Sequence, residues 1–274
     1  MRTIHLPDGT ELPIIGQGTW RMGEGHRPAK AEADALRAGL DLGMTVIDTA
    51  EMYGDGGSEK VVGQAIAGRR DEVFLVSKVY PQNANLRAMA RSCDASLKRM
   101  GTDRMDLYLL HWRGGTPLSE TVQAFETLKA AGKILRWGVS NLDVSDMEEL
   151  GPGDAATDQV LYNPEARGIE FDLLPWCAQR HLPVMAYSPV GQGGALLDHP
   201  AMLAIAKRRG VTAAQVAIAW SVRLPGIISI PKASDLGHVR ENAAAAVLEL
   251  LPDDIAAIDV AFPPPRRRQP LEML

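Results

Sequence analysis

Eight short apolar runs, separated by amphipathic stretches, constrain this chain of 274 residues more than any other feature. The runs are Ile14–Gly18, Thr45–Thr49, Val73–Val79, Met105–Trp112, Leu135–Asn141, Gln159–Asn163, Val184–Ser188 and Ile227–Lys232. The intervening stretches carry helical spacing, clearest in Leu86, Met89, Ala90, Cys93, Leu97 and Met100. Gly43, Gly68, Gly101, Gly132 and Gly210 fall where helices need a left-handed residue to stop. Thr212-Ala213-Ala214-Gln215 has capping-box spacing. Strand–helix alternation implies parallel strands joined by right-handed crossovers. Eight repeats predict an α/β chain closed into a (β/α)8 barrel, the TIM barrel, rather than an open doubly wound sheet. A short N-terminal β-hairpin is expected ahead of it, Thr3–Leu6 and Glu11–Ile15 about the turn Pro7-Asp8-Gly9-Thr10.

No linker or shift of composition divides the chain, so residues 1–274 are expected to form a single domain. The stretch 263–274, opening with three prolines and three arginines, reads as a C-terminal arm. The 29 Lys+Arg against 34 Asp+Glu leave a formal net charge of −5, which argues against nucleic acid as the main partner. The start, Met1-Arg2-Thr3-Ile4-His5, lacks the apolar core of a secretion signal, and no apolar stretch is long enough to span a bilayer. Cys93 and Cys177 fall in helix-like segments and suggest neither a disulfide framework nor a metal site. A soluble, cytoplasmic protein with reduced thiols and no membrane partner is expected.

In such barrels chemistry gathers where strands end and helices begin. Applied to these runs, that rule collects Gly18-Thr19-Trp20, Asp48 with Tyr53 five residues on, Ser77-Lys78, His111-Trp112, Ser140-Asn141, Tyr187-Ser188-Pro189 and Pro231-Lys232. Lys78 closes the apolar run Val73-Phe74-Leu75-Val76, so its ammonium needs a carboxylate, which Asp48 on the adjacent strand can supply. His111 ends the next strand over. A tyrosine beside a Lys–Asp pair is expected to have its phenolate favoured and its pKa lowered, and Tyr53 with His111 could then address one carbonyl oxygen. Taken singly, Lys78 could be a snorkelling lysine, Tyr53 a loop aromatic and His111 a core histidine. Their coincidence on three consecutive strand ends favours chemistry.

Asp48, Tyr53, Lys78 and His111 stand in the order and approximate spacing of the aldo-keto reductase tetrad. The chain resembles that family from Gly16-Gln17-Gly18-Thr19-Trp20 to Glu241-Asn242, through Leu109-Leu110-His111-Trp112, Gly138-Val139-Ser140-Asn141, Ala186-Tyr187-Ser188-Pro189 and Ile230-Pro231-Lys232. It is most similar to small bacterial members associated with methylglyoxal or general aldehyde reduction. The resemblance implies hydride transfer from NADPH to a small aldehyde or ketone, with Tyr53 as general acid, Lys78 and Asp48 tuning it, and His111 orienting the carbonyl. It implies that Gly18, Thr19, Trp20, Asp48, Ser140, Asn141 and Gln159 line the nicotinamide end, with Tyr187 stacked on the ring. Ser188, Val190 and Gln192 would meet the pyrophosphate, and Lys232, Ala233, Ser234, His238, Glu241 and Asn242 the adenosine end. Trp20 and Trp112 would flank the substrate beside Tyr53 and His111. The short arm suggests an open pocket, and a monomer is the family's usual state.

One departure concerns the 2′-phosphate of NADPH. Where the family commonly has a hydroxyl after the lysine and an arginine six residues beyond it, this chain has Ala233 and His238. A preference for NADPH narrower than an arginine would give is therefore expected, aided by the helix beginning around Ser234. Two other readings use the same residues: a barrel aldolase with Lys78 as Schiff-base amine, and a cofactor-binding regulatory subunit.

Overall fold

The computed structural model describes residues 1–151 and 155–274. Strands β1 (Thr3–His5) and β2 (Glu11–Pro13) form the expected antiparallel hairpin. Eight parallel strands follow: β3 (Gln17–Gly18), β4 (Val46–Asp48), β5 (Phe74–Val79), β6 (Leu107–Leu110), β7 (Trp137–Ser140), β8 (Ala155–Leu161), β9 (Val184–Tyr187) and β10 (Ile227–Ser229). Each pairs with its neighbour in sequence. The parallel bridges Ile15↔Ser229 and Gly18↔Lys232 join the first strand to the last and close the barrel. A Cβ on Gly18 would stand 2.8 Å from the Ile230 carbonyl oxygen, so the seam closes only around glycine.

The principal α-helices outside the barrel are α1 (Ala29–Asp41), α2 (Gly57–Ile66), α3 (Leu86–Met100), α4 (Leu118–Ala130), α5 (Val144–Leu150), α6 (Leu173–Gln179), α7 (Ala195–Asp198), α8 (Pro200–Arg209), α9 (Ala213–Ser221), α10 (Leu236–Ala244) and α11 (Pro252–Ala261). The face predicted for α3 is the buried one, carrying Met89, Cys93, Leu97 and Met100. Gly101 and Gly210 end α3 and α8 with φ of 65° and 67°, and Thr212 and Gln215 form the capping box of α9. Among the described residues no helix is long and apolar enough to cross a membrane.

Strand alternation sorts the core into layers. Ile47, Leu75, Tyr108, Leu110, Val139 and Val160 pack outward against the helices. Val46, Phe74, Val76, Leu107, Leu109, Met185 and Ile228 fill the barrel, where Leu6 and Leu12 of the hairpin join them. Because side chains two apart share a face, Asp48 follows Val46 inward, Lys78 follows Val76, and His111 follows Leu109.

The strand predicted at Gln159–Asn163 begins four residues earlier, at Ala155. Its register slips by one residue: Trp137 pairs with Ala155, but Val139 pairs with Asp158. This bulge breaks the alternation, so that Ala156 and Gln159 both face the interior while Asp158 turns outward towards the helices. An irregular, polar Thr157-Asp158 is the reason the start of the strand does not read as one.

Candidate active site

The Lys78 ammonium is fully buried and donates to both carboxylate oxygens of Asp48, at 2.8 and 2.7 Å, and to the Thr49 carbonyl at 3.0 Å. Asp48, 2% exposed, accepts a further hydrogen bond of 2.8 Å from Gln159 Nε2. Burial alone would discharge the lysine, but Asp48 and Tyr53 outweigh it and hold the Lys78 pKa above its usual value. An ammonium held charged on three oxygens has no lone pair for a carbonyl, which removes the basis for a Schiff-base role.

Tyr53 opens the short turn Tyr53–Gly56 after β4, and its hydroxyl lies 3.4 Å from Lys78 Nζ. The expected lowering of its pKa is not what the geometry produces. Burial dominates and raises it, Lys78 pulls it down, Asp48 raises it again, and the net shift is upward. Lys78 therefore moderates a burial effect instead of creating a phenolate. The hydroxyl keeps its proton at neutral pH, which suits a donor.

His111 meets Tyr53 edge to face, with ring centroids 5.8 Å apart. Burial, assisted by the Lys78 charge, pushes its pKa down to about 3, so the imidazole is neutral. Its Nδ1 is buried and has no partner in the protein. The His111 ring resonances are accordingly expected to stay unchanged in an NMR titration from about pH 8 to about pH 5; an inflection between about 6 and 7 would show an ionisable imidazole. The stability sign follows. The unfolded chain takes up this proton first, so the contribution of His111 falls as pH drops from about 6.5 towards 3.

The remaining expected residues divide. Thr19 is fully buried, donating to the Asp48 carbonyl at 2.9 Å and accepting from Ser58 at 2.7 Å, so its side chain braces the site. Trp20 is partly exposed with the Arg21 guanidinium 4.4 Å from its ring centre, and Trp112 packs on His111 at 4.9 Å. Asn141, at φ 59°, donates to the His111 carbonyl and to Ser140 Oγ, both at 3.1 Å, and accepts from the Tyr187 hydroxyl at 3.0 Å. Ser140 Oγ donates to the Gln159 carbonyl at 2.7 Å. Beyond β9, Ser188, Gly191, Gln192, Gly193 and Gly194 all have positive φ, a run of left-handed residues beside half-buried Val190. Lys232 is exposed and donates to Ser234 Oγ at 3.1 Å. Ala233 and Glu241 are half-buried, Asn242 is buried and His238 is exposed on the first turn of α10.

Two features had no signal in the sequence reading. Asp158 is buried without a side-chain partner, and burial raises its pKa well above the usual range; the Leu142 backbone N–H, one residue past Asn141, is one of its few donors. Arg268 in the arm pairs with Asp143 and Asp172, each at 3.1 Å, and the backbone of Leu274 hydrogen-bonds the Tyr187 hydroxyl. The arm thus folds back onto the rim near Tyr187.

A parallel (β/α)8 barrel with a buried Lys–Asp pair under a protonated tyrosine and a neutral histidine defines a carbonyl-directed site. The Aldo/keto reductase family model matches residues 14–261, and the chain belongs to that family. It is 51% identical over 281 residues to methylglyoxal reductase YeaE of Escherichia coli strain K12, covering 100% of this chain and 99% of the relative. It is 32% identical to a glyoxal reductase of Bacillus subtilis, covering 94% and 91%. Among solved structures, an aldo/keto reductase from Klebsiella pneumoniae in complex with NADP and acetate superposes with a TM-score of 0.96 at 52% identity, over 99% of both chains.

Proposed function

We propose that this chain is an NADPH-dependent reductase of small aldehydes and ketoaldehydes such as methylglyoxal, with Tyr53 as the proton donor. The observation that carries the reading is the pairing at the barrel mouth: a tyrosine that keeps its proton beside a histidine that stays neutral, both above Lys78–Asp48. Tyr53 and His111 address the carbonyl oxygen, and polarising that oxygen makes the attached carbon electrophilic. Reduced nicotinamide, when bound, supplies a hydride to that carbon. Tyr53 delivers its hydroxyl proton to the oxygen as charge develops there, while the Lys78 ammonium stabilises the tyrosinate left behind.

The donor set suits a phosphorylated dinucleotide: Asn141 and Ser140 beside Tyr187, the left-handed run after Ser188, and the exposed cation Lys232 at the far end of the rim. The relatives named for methylglyoxal and glyoxal support a small dicarbonyl substrate. The buried thiols Cys93 and Cys177, pushed up to about 12 by burial and forming no disulfide, are in keeping with the cytosol.

The test is consumption of NADPH with methylglyoxal, glyoxal, simple aldehydes and sugars. Small 2-oxoaldehydes are expected to give the highest kcat/KM and sugars the lowest. Absence of turnover with every carbonyl would overturn the reading and favour a binding role.

A further inference from the structure

The rim's far end holds more positive charge than the sequence motif there contains. Arg27, in the loop between β3 and α1, reaches across the barrel seam and donates to the Ser234 carbonyl at 2.9 Å. It also pairs with the Asp235 carboxylate, at 3.6 Å. Lys232 donates to the hydroxyl of that same Ser234. Arg21, from the same loop as Arg27, lies along the Trp20 ring. Partial burial of its side chain lowers the Lys232 pKa, and the fields of Arg27 and Arg21 push the same way, against Glu32 and Glu24. Cations crowded in this way are at a cost until an anion joins them.

Asp235 answers Arg27 only at 3.6 Å, because its carboxylate is engaged elsewhere. Its carboxylate caps α10, accepting from the Gly237 N–H at 2.8 Å, with the His238 backbone also bonded to it. The cap takes up the field of this helix end, which the sequence reading reserved for a phosphate. The His238 side chain is exposed.

We infer that Arg27, with Lys232 and Ser234, forms the grip for the 2′-phosphate of NADPH, supplying from the first loop the guanidinium that α10 lacks. The inference rests on the NADPH reading above and assigns its selectivity to a residue outside the motif. A phosphate monoester dianion is the one group that separates NADPH from NADH, and a planar guanidinium held at its edge by a carbonyl still has N–H donors free for it. Arg27 is about half exposed, so these donors are open to a ligand.

The experiment is equilibrium binding, by calorimetry and by protein fluorescence, of NADPH, NADH and 2′-AMP to wild type, Arg27→Met, Arg27→Lys and His238→Gln. Arg27→Met is expected to weaken NADPH and 2′-AMP on the order of 10- to 100-fold while changing NADH less than about twofold. Arg27→Lys should fall between, and His238→Gln should match wild type. Equal loss for NADPH and NADH in Arg27→Met would mean that the arginine only holds its loop, and unchanged NADPH binding would exclude it; either overturns the inference. If His238→Gln alone removes the preference, the grip is the histidine's. Wild type binding NADH as tightly as NADPH would sink the cofactor reading itself, a result visible before any variant is compared.

Discussion

Tyr53→Phe is expected to bind cofactor as the wild type does and to reduce carbonyls about 10²–10⁴-fold more slowly. The variant removes one oxygen, which accepts from Lys78 Nζ at 3.4 Å, and that lysine keeps its bonds to Asp48 and Thr49. The rim therefore stays assembled while the proton donor disappears. Neither of its two ionisable neighbours replaces it. His111 holds no ionisable proton at neutral pH, and Lys78 lies beneath Tyr53 with its charge held by Asp48. Cofactor affinity and kcat measured on the same preparation separate the two effects. Near-native kcat on every aldehyde would mean that the proton comes from elsewhere and that the tyrosine is a wall.

Lys78→Met is expected to fail twice, in rate and in stability. Asp48 would remain charged in the barrel mouth with its hydrogen bond from Gln159 Nε2 but without its ammonium, and removing one member of a buried ion pair costs about 3–5 kcal/mol. In the same step Tyr53 loses the only influence that lowers its pKa among burial, Asp48 and Lys78, so its tyrosinate becomes harder to form when the proton leaves. Denaturant melts beside steady-state rates report both losses. Adding Asp48→Asn should restore much of the stability, because no buried charge is then left alone, and should restore none of the rate. A Lys78→Met enzyme as stable and active as wild type would show that the pair is not coupled to Tyr53.

Three of the four clustered residues were legible because they obey a local rule. Val46-Ile47-Asp48, Val76-Ser77-Lys78 and Leu109-Leu110-His111 each place an apolar residue and a polar one two apart on adjacent strands, and alternation carries both into the barrel. What depended on the surroundings was not legible. The direction of the Tyr53 shift is set by how deeply the turn after β4 is buried, which spacing does not record. Gln159 reaches Asp48 only because a bulge earlier in β8 resets the alternation. The Thr19 side chain folds inward onto Asp48 and Ser58, a contact that a motif does not record. Arg27 meets Ser234 across 207 residues of chain, a separation at which no window of sequence carries a signal.

That separation also orders the molecule in time. Asp48, Lys78 and His111 sit on three neighbouring strands, so a nascent chain can bring them together once β6 exists. The bridges Ile15↔Ser229 and Gly18↔Lys232 require the first strand to find the last, a closure over more than 200 residues and therefore entropically late. The Arg27–Ser234 contact spans the same joint. The reacting groups thus belong to the early part of folding and the dinucleotide's distal anchor to its end. A chain stalled before β10 would carry an assembled tetrad on a barrel still open along one side, without the cradle that would hold its reductant.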